Sequence, residues 1–475
     1  MEADTRNATS RADLPEIPVF ELTKSNFEKC LPYLLVSIKE ADLIALDLEM
    51  SGLGPTYGLR AKDTETRYTA FRDSASTRGI LSLGIATFKL KSTSDEKKRV
   101  KYNCQVFNIL TYPSRPFTME PDAMKFLLNH GFDFNKLTKD GVLYYPGRVD
   151  KDCPLRKIFD AILSESKPVA LHNGFLDLCF LYHQLFADLP EKLEDFLASI
   201  ADLFPEESSL IDSKYLAEYV TRMHGSYLEY VFRKCQRDNV SDKCQSRAYI
   251  SISFSAYRTD LMNELATSIE RTNCELPLDF PNHPIPGNLK EHLCERYTNH
   301  GFCGSRDRGC AKLHDVDFAL DLEILAAQKN RTRRKRRYDH IIPAKLKEQN
   351  GAKESDGESS CSSTFTATST VTVAEITKSK PRIAVHGSHR AGVDAFMTGF
   401  AALFQNRMHL LRYQKCNPKW TSQLPLSGKQ FPLVIRKSVN AVVSGEHMVA
   451  FFSIELLRKK KRPAAEKFDD QLPKE

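Results

Sequence analysis

The sequence predicts an α/β fold, a mixed sheet with helices packed against it, and three observations carry that expectation. Strand-like and helix-like periodicities alternate from about residue 16 to 225. A polar tract then intervenes, in which ten of the fourteen residues from Ser359 to Thr372 are Ser or Thr. Periodic sequence resumes at RIAVHGSHRAGVDAFMTGFAALFQ, residues 382–405. One globular domain is therefore expected to be interrupted and then completed.

The elements follow in order. SNFEKCLPYLLVSIKEAD reads as a helix with Ser25 as its N-cap, and LIALDLE, 43–49, as a buried strand. GILSLGIATFKL, 79–90, and RVKYNCQVFNIL, 99–110, read as two further strands joined by a polar turn. Helices are expected around 120–130 and 154–165, then a short strand PVALHN, 168–173, and a helix from Phe175 to Phe186. LEYVFRKCQRDN looks helical, and the segment around it either completes the domain or begins the insertion. Beyond about residue 265, PNHPIPG breaks the periodicity. A compact Cys/His segment at 294–314, a basic run and the Ser/Thr tract follow. Residues 339–378 bury too little apolar surface to offset the cost of ordering their backbone, and are expected to be a disordered linker.

Composition narrows the class. With 475 residues, 41% apolar, the chain has material for two or three folding units. Its 68 Lys and Arg against 61 Asp and Glu give +7, which suggests a basic surface for nucleic acid. Two runs account for that excess: Arg331–Arg337 (RTRRKRR) holds six cations and Arg458–Arg462 (RKKKR) five. Without those eleven the count is 57 against 61, a net of −4, so the body is slightly acidic. Twelve irregularly spaced cysteines, and no leader read in MEADTRNATSRADLPEI, point to a reducing compartment with free or metal-bound thiols. The sequons at Asn7, Asn239 and Asn330 are then chance matches. No stretch reaches the roughly 18 apolar residues of a membrane span, so a soluble protein with no membrane partner is expected.

The first chemical candidate is Asp47-Leu48-Glu49 at the end of an apolar strand. Residues i and i+2 of a strand project from one face, so both carboxylates point into one site, ahead of the turn-forming Met50-Ser51-Gly52-Leu53-Gly54. Like charges so placed repel unless cations sit between them, a divalent-metal arrangement. Alone the pair reads equally well as acids at a strand end, and ALDLE occurs twice. The second copy, Ala319–Glu323, has no glycine turn after it and is read as a surface helix. In Leu171-His172-Asn173-Gly174-Phe175-Leu176-Asp177, a strand passes through a polar turn into a helix with Asp177 in its first turn, where an acid also complements the helix dipole. In His389-Arg390-Ala391-Gly392-Val393-Asp394 the five-residue spacing turns a helix through about 140°, so His389 and Asp394 converge only if His389 lies on the preceding loop.

The ordered set Asp47, Glu49, Asp177, His389 and Asp394 resembles the DEDD superfamily of 3′–5′ exonucleases, in the subclass ending H-x4-D. LxxxGFDFN at Leu127–Asn135 and HNGFLDLCFLYHQ at 172–184 are similar to the CAF-type and poly(A)-specific ribonuclease deadenylases. The resemblance covers roughly 16–225 and 380–455. It implies a ribonuclease H-like mixed sheet flanked by helices, two Mg²⁺ ions held by Asp47, Glu49, Asp177 and Asp394, and His389 as general base. The chemistry agrees: phosphodiester hydrolysis needs an activated water and neutralisation of charge on attacking and leaving oxygens, which two hard cations about 4 Å apart supply. Oxygen ligands suit Mg²⁺, and a histidine titrating near neutrality suits proton abstraction.

Cys294, Cys303, Cys310 and His314 give C-x8-C-x6-C-x3-H, a donor set that fits one tetrahedral structural Zn²⁺. The spacing resembles the CCCH fingers of RNA-binding proteins, with an x6 gap longer than the commonest form. Tyr297 and Phe302, interleaved with Arg296, Arg306, Arg308 and Lys312, suit single-stranded RNA, although the two rings also suit the core of a small finger. The remaining nine cysteines are expected to be free thiols. The first basic run, with Arg331, Arg333, Arg334, Lys335, Arg336 and Arg337, reads as an extended nuclear-localisation signal for an import receptor.

The expected organisation is a nuclease domain in two pieces, 16–265 and 379–456, interrupted by a CCCH finger at 286–318, the basic run at 328–338 and the linker at 339–378, with a basic tail at 457–475. As a whole it resembles the nuclear Cajal-body deadenylases. That implies removal of adenosines as 5′-AMP from the 3′ ends of small nuclear and other noncoding RNAs, in nucleoplasm, Cajal bodies and nuclear speckles. Single-stranded RNA with an adenosine-rich 3′ end is the expected partner; small nuclear ribonucleoprotein or Cajal-body components, and an oligomer, are allowed. Two alternatives stay open: a DNA exonuclease with the same metal centre, and a non-catalytic RNA-binding protein on a nuclease scaffold, which the completeness of the five positions disfavours.

Overall fold

A computed structural model describes residues 16–147, 153–206, 209–255, 268–277, 280–304, 309–341 and 390–461. They fall into two compact units, one within Met1–Met223, Ala248–Glu275 and Arg382–Glu475, the other within His224–Arg247 and Leu276–Pro381.

The first unit opens with β1 (Glu16–Leu22), α1 (Phe27–Glu40), β2 (Leu43–Met50), α2 (Thr56–Leu59) and α3 (Thr64–Thr77). Next come β3 (Ile80–Ser94), β4 (Arg99–Pro113), α4 (Pro121–Asn129), α5 (Phe134–Asp140), β5 (Val142–Tyr144) and α6 (Pro154–Ser164). After these, β6 (Val169–Leu171), α7 (Phe175–Leu185), α8 (Leu193–Leu203), β7 (Leu210–Asp212) and α9 (Ser213–Tyr215) complete its first stretch. Among the described residues the sheet order is β7-β6-β2-β3-β4-β1, with β5 beside β4. β2, β6 and β7 are parallel, and β3 runs antiparallel to both β2 and β4. Counting β2, β3, β4, β6 and β7 as five strands, the order is 3-2-1-4-5 with the second reversed, the ribonuclease H-like arrangement expected above.

β2 is central, and its run Leu43–Leu46 is buried on both faces, as an interior strand covered by helices requires. Leu46 and Leu48 face the main core, which α1, α6, α7 and α8 complete. α3 and α8 escape the sequence reading. α3 is mostly polar on its open side, yet it buries Arg67, Tyr68, Phe71 and Ala75. Ser25 does not cap α1: its hydroxyl donates to Asp140 Oδ2 at 2.9 Å, and the N-cap is Asn26.

The second unit begins with α10 (Leu228–Cys244), inside the stretch expected to continue the nuclease. The chain then returns to the first unit for β8 (Tyr249–Phe254), parallel to β4, and β9 (Ile269–Asn273), antiparallel to β1. Within the stretch read as 16–265, residues 224–247 thus group with the second unit, where Arg233 and Arg237 of α10 are buried. Here lie α11 (Leu289–His292), α12 (Glu295–His300) and α13 (Val316–Ile341). Arg233 of α10 pairs with Asp317 of α13 at 2.6 Å, and Arg237 with Asp317 at 2.8 Å and Asp321 at 2.7 Å. His283 joins Asp321 at 2.8 Å. The second ALDLE is thus largely buried rather than at the surface: Ala319, Leu320 and Asp321 are buried, with Arg237 and His283 on Asp321, while the half-buried Glu323 accepts from the Tyr230 hydroxyl.

The basic run 331–337 continues α13 as helix and is not extended. Most of the linker at 339–378, and His389 with it, lie outside the described residues. The first unit resumes with α14 (Ala391–Tyr413), β10 (Gln423–Leu424), β11 (Leu433–Val434) and α15 (Gly445–Lys461). The expected tail at 457–475 begins inside α15, where Arg458 is buried and donates to the Leu163 and Leu203 carbonyls at 3.1 and 2.7 Å. No helix among the described residues is long and apolar enough to cross a membrane.

Candidate active site

The sheet face opposite the main core carries α14, which is buried along most of its length, from Ala391 to Asn406. Its first turn, with Asp394, descends directly onto β3. Gly84, the cross-strand partner of Asp47, makes that approach possible: a Cβ there would lie 1.8 Å from the Ala391 carbonyl oxygen. Asn108, next along the same row on β4, accepts the Gly392 N–H at 3.0 Å and fixes the helix entry.

Asp47 and Glu49 share this face, and oxygens of Asp47, Glu49 and Asp394 all lie within 4.8 Å of one another. Burial holds the Asp47 carboxyl well above the usual carboxylate range, and the nearby charges of Asp394, Asp177 and Glu49 push it further. Such crowding of anions is relieved by a hard cation between them. The oxygen-only donor set therefore fits Mg²⁺, with Asp47, Glu49 and Asp394 as a first ligand group.

Asp177 stands outside that group of three. It occupies the first turn of α7, and burial, with Asp212 adding repulsion, lifts it to about 7 against opposing hydrogen bonds from its own N–H and that of Leu48. The Leu48 contact ties Asp177 to the strand carrying Asp47 and Glu49. His172 pairs its Nδ1 with Ser213 Oγ at 2.8 Å.

Two supporting acids were not legible as site residues. Asp212, fully buried, accepts the Gly174 N–H at 2.9 Å and so holds the turn before Asp177. Burial raises it to about 6, opposed by N–H groups of Gly174, Tyr215 and Asn173. Glu120 accepts the Leu53 and Gly54 N–H groups at 3.2 and 2.8 Å and takes Arg78 Nε at 2.7 Å, holding the loop after Glu49. The strand-turn-acid pattern of LID-S and the position of Glu120 before a proline-led helix are common helix-cap features, so nothing local distinguished them.

In the second unit, the thiols of Cys294, Cys303 and Cys310 and a ring nitrogen of His314 lie within 4.8 Å of one another. Burial raises the Cys294 thiol, but the Tyr297 N–H and the Cys303 and Cys310 thiols outweigh it, for a net lowering. Three sulfurs and one nitrogen at this separation fit a closed Zn²⁺ site. Gly301, at φ 70°, ends α12 between two of these cysteines, and a Cβ there would meet the Tyr227 ring at 2.6 Å. The two aromatic candidates part company: Tyr297 is buried and donates to Glu229 at 3.0 Å, whereas Phe302 is 72% exposed. Arg306 and Arg308 lie outside the described residues.

Comparison with known proteins places these features in context. The model of the CAF1 family ribonucleases matches residues 22–153 and 145–402. The poly(A)-specific ribonuclease PARN of Xenopus laevis is 31% identical over 137 residues, 26% of this chain and 21% of that protein. The pre-piRNA 3′-exonuclease trimmer of Bombyx mori is 25% identical over 200 residues, 41% of this chain and 34% of that protein. The matched stretches thus span a fifth to a third of these relatives. Among solved structures, S. pombe Pop2p in its Mg²⁺- and Mn²⁺-bound form aligns over 46% of this chain and 82% of that one, at 16% identity and a TM-score of 0.36.

Proposed function

The chain belongs to the CAF1 family of ribonucleases, and on that premise we propose that it is a nuclear 3′–5′ exoribonuclease, a deadenylase removing 3′ adenosines from RNA. The observation that carries this reading is the convergence of Asp47, Glu49 and Asp394 within 4.8 Å on one face of the sheet. With Asp177 they would hold two Mg²⁺ ions, which when bound supply neutralisation of charge on the attacking and leaving oxygens. His389, five residues before Asp394, accepts the proton of the attacking water. Water adds to the phosphorus of the terminal nucleotide and the bond from phosphorus to the preceding O3′ breaks, giving 5′-AMP and an RNA one residue shorter.

Cys294, Cys303, Cys310 and His314 would hold one Zn²⁺ as a structural finger that captures RNA, with the exposed Phe302 as the ring available to a base. The basic run at the end of α13 directs nuclear import, and adenylated 3′ ends of small nuclear and other noncoding RNAs are the substrates. Neutralising Arg333, Arg334, Lys335, Arg336 and Arg337 relocates a fluorescent fusion to the cytoplasm; an unchanged nuclear signal removes the import role.

One assay tests the enzymatic reading. Labelled oligo(A), a mixed-sequence RNA and a single-stranded DNA are incubated with the full chain in Mg²⁺, alongside an Asp47→Ala, Glu49→Ala variant. Shortening of oligo(A) that the double variant loses is expected; DNA shortening indicates a DNA exonuclease, and equal activity of the variant defeats the assignment.

A further inference from the structure

Asn108 has a second capacity that follows from how its amide is anchored. A backbone N–H can only donate, so the group accepting from Gly392 N at 3.0 Å must be Oδ1. Ser82 Oγ donates to the same oxygen, also at 3.0 Å. The amide is thereby oriented without ambiguity, and Nδ2 carries two N–H groups with no hydrogen-bond partner among the described residues. The residue as a whole is 6% exposed, and Nδ2 is not sealed off: it is open to the cavity that the side chain lines, where an entering group can accept from it.

The same asparagine lines a cavity of about 240 Å³ that also reaches Glu49, Ser82 and Leu110. Sheet register explains the arrangement. Glu49, Ser82 and Leu110 form one transverse row across β2, β3 and β4, while Asp47, Gly84 and Asn108 form another. Glu49 and Asn108 therefore face one cavity from strands two apart, roughly 10 Å between backbones. One is itself a proposed metal ligand whose carboxylate can also accept, the other an unused donor.

We propose that Asn108 reads the 2′-hydroxyl of the substrate's 3′-terminal ribose and so selects RNA over DNA at the residue being removed. This rests on the exoribonuclease reading above. If the scissile phosphate lies at Asp47, Glu49 and Asp394, the covalently adjacent sugar enters the cavity before the base does. A ribose then presents two vicinal hydroxyls to it: one donates to the Glu49 carboxylate, and the 2′-oxygen accepts from Asn108 Nδ2. A deoxyribose leaves that donor unpaired, and sites built to bond a hydroxyl reject analogues lacking it.

The test uses the full chain with Mg²⁺ and two labelled oligo(A) substrates, one all-ribose and one whose 3′-terminal residue is 2′-deoxyadenosine. The parent is expected to remove the all-ribose terminus faster by about tenfold or more in kcat/KM. Asn108→Ala slows both reactions through loss of the Gly392 contact, but the ratio between them falls towards one. Asn108→Asp keeps an acceptor for Gly392 and lacks the donor, and gives the same fall in the ratio. A ratio unchanged in both variants overturns the inference, as does a parent that does not discriminate. A parent that shortens neither substrate overturns the exoribonuclease reading itself.

Discussion

Gly84 and Asp47 are cross-strand partners, and the side chain missing at Gly84 gives the first turn of α14 its place beside Asp47. Gly84→Ala sets a methyl against the Ala391 carbonyl, a contact relieved only by moving the helix that carries Asp394. Overpacking of this kind costs about 2–3 kcal/mol, and a shift of about 1 Å in a metal-ligating group costs about a hundredfold in rate. Chemical denaturation and deadenylation rates are expected to show both losses. A variant with full activity would mean that Asp394 does not depend on this approach.

How much of this was legible in sequence depends on where the determining contacts lie. Asp47 and Glu49 were legible because alternation along one strand fixes their common face, and Asp177 because the strand-turn-helix around it is local. Asn108 and Asp212 were not, since their roles arise from register and from hydrogen bonds to Gly392 and Gly174, respectively 284 and 38 residues away. The second ALDLE misled for the same reason: nothing local announces that Arg237, 84 residues earlier, pairs with Asp321. α10 read correctly as a helix, but its membership of the second unit rests on that same distant pairing.

The crowded carboxylates give stability a pH dependence with a definite sign. Asp177 and Asp212 stand at about 7 and about 6, and Asp47 is also raised, so the folded protein holds protons that the unfolded chain releases near pH 4. Without metal, this contribution is fully present below about pH 4 and is lost as pH rises through about 6 and 7. If Mg²⁺ binds the folded, ionised cluster, it is expected to raise the melting temperature more at pH 7.5 than at pH 5, by about 5 °C at millimolar concentration. In the Asp47→Ala, Glu49→Ala variant both the pH slope and the Mg²⁺ response shrink. An equal Mg²⁺ shift in parent and variant, read by scanning calorimetry, would place the metal elsewhere.

The ion network of the second unit should be sensitive to removal of one partner. Asp317 receives both Arg233, which is fully buried, and Arg237. Asp317→Ala removes the carboxylate that Arg233 and Arg237 share, leaving Asp321 on Arg237 as the remaining acid of the pairing, at a cost of about 3–5 kcal/mol. Hydrogen exchange is expected to accelerate in α10 and α13, while strands β2 and β3 keep their protection. Unchanged exchange in both helices would show that the network contributes little to that unit.

The Cys/His cluster predicts one tightly held zinc per chain. Its four ligands come from a 21-residue segment in which, among the described residues, Tyr297 clusters with the cysteines and Leu313 packs on a small neighbouring cluster, a core that metal binding would reinforce. Metal analysis of the purified chain should find zinc at about one equivalent, released by a thiol-reactive mercurial, and Cys303→Ser should lose it. Since no residue of this cluster belongs to the Asp47 site, the variant should still shorten a short oligo(A) at saturating concentration, with filter binding showing weaker RNA capture. Loss of zinc with unchanged RNA affinity would leave the finger a purely structural role. A chain that binds no zinc at all would refute the site.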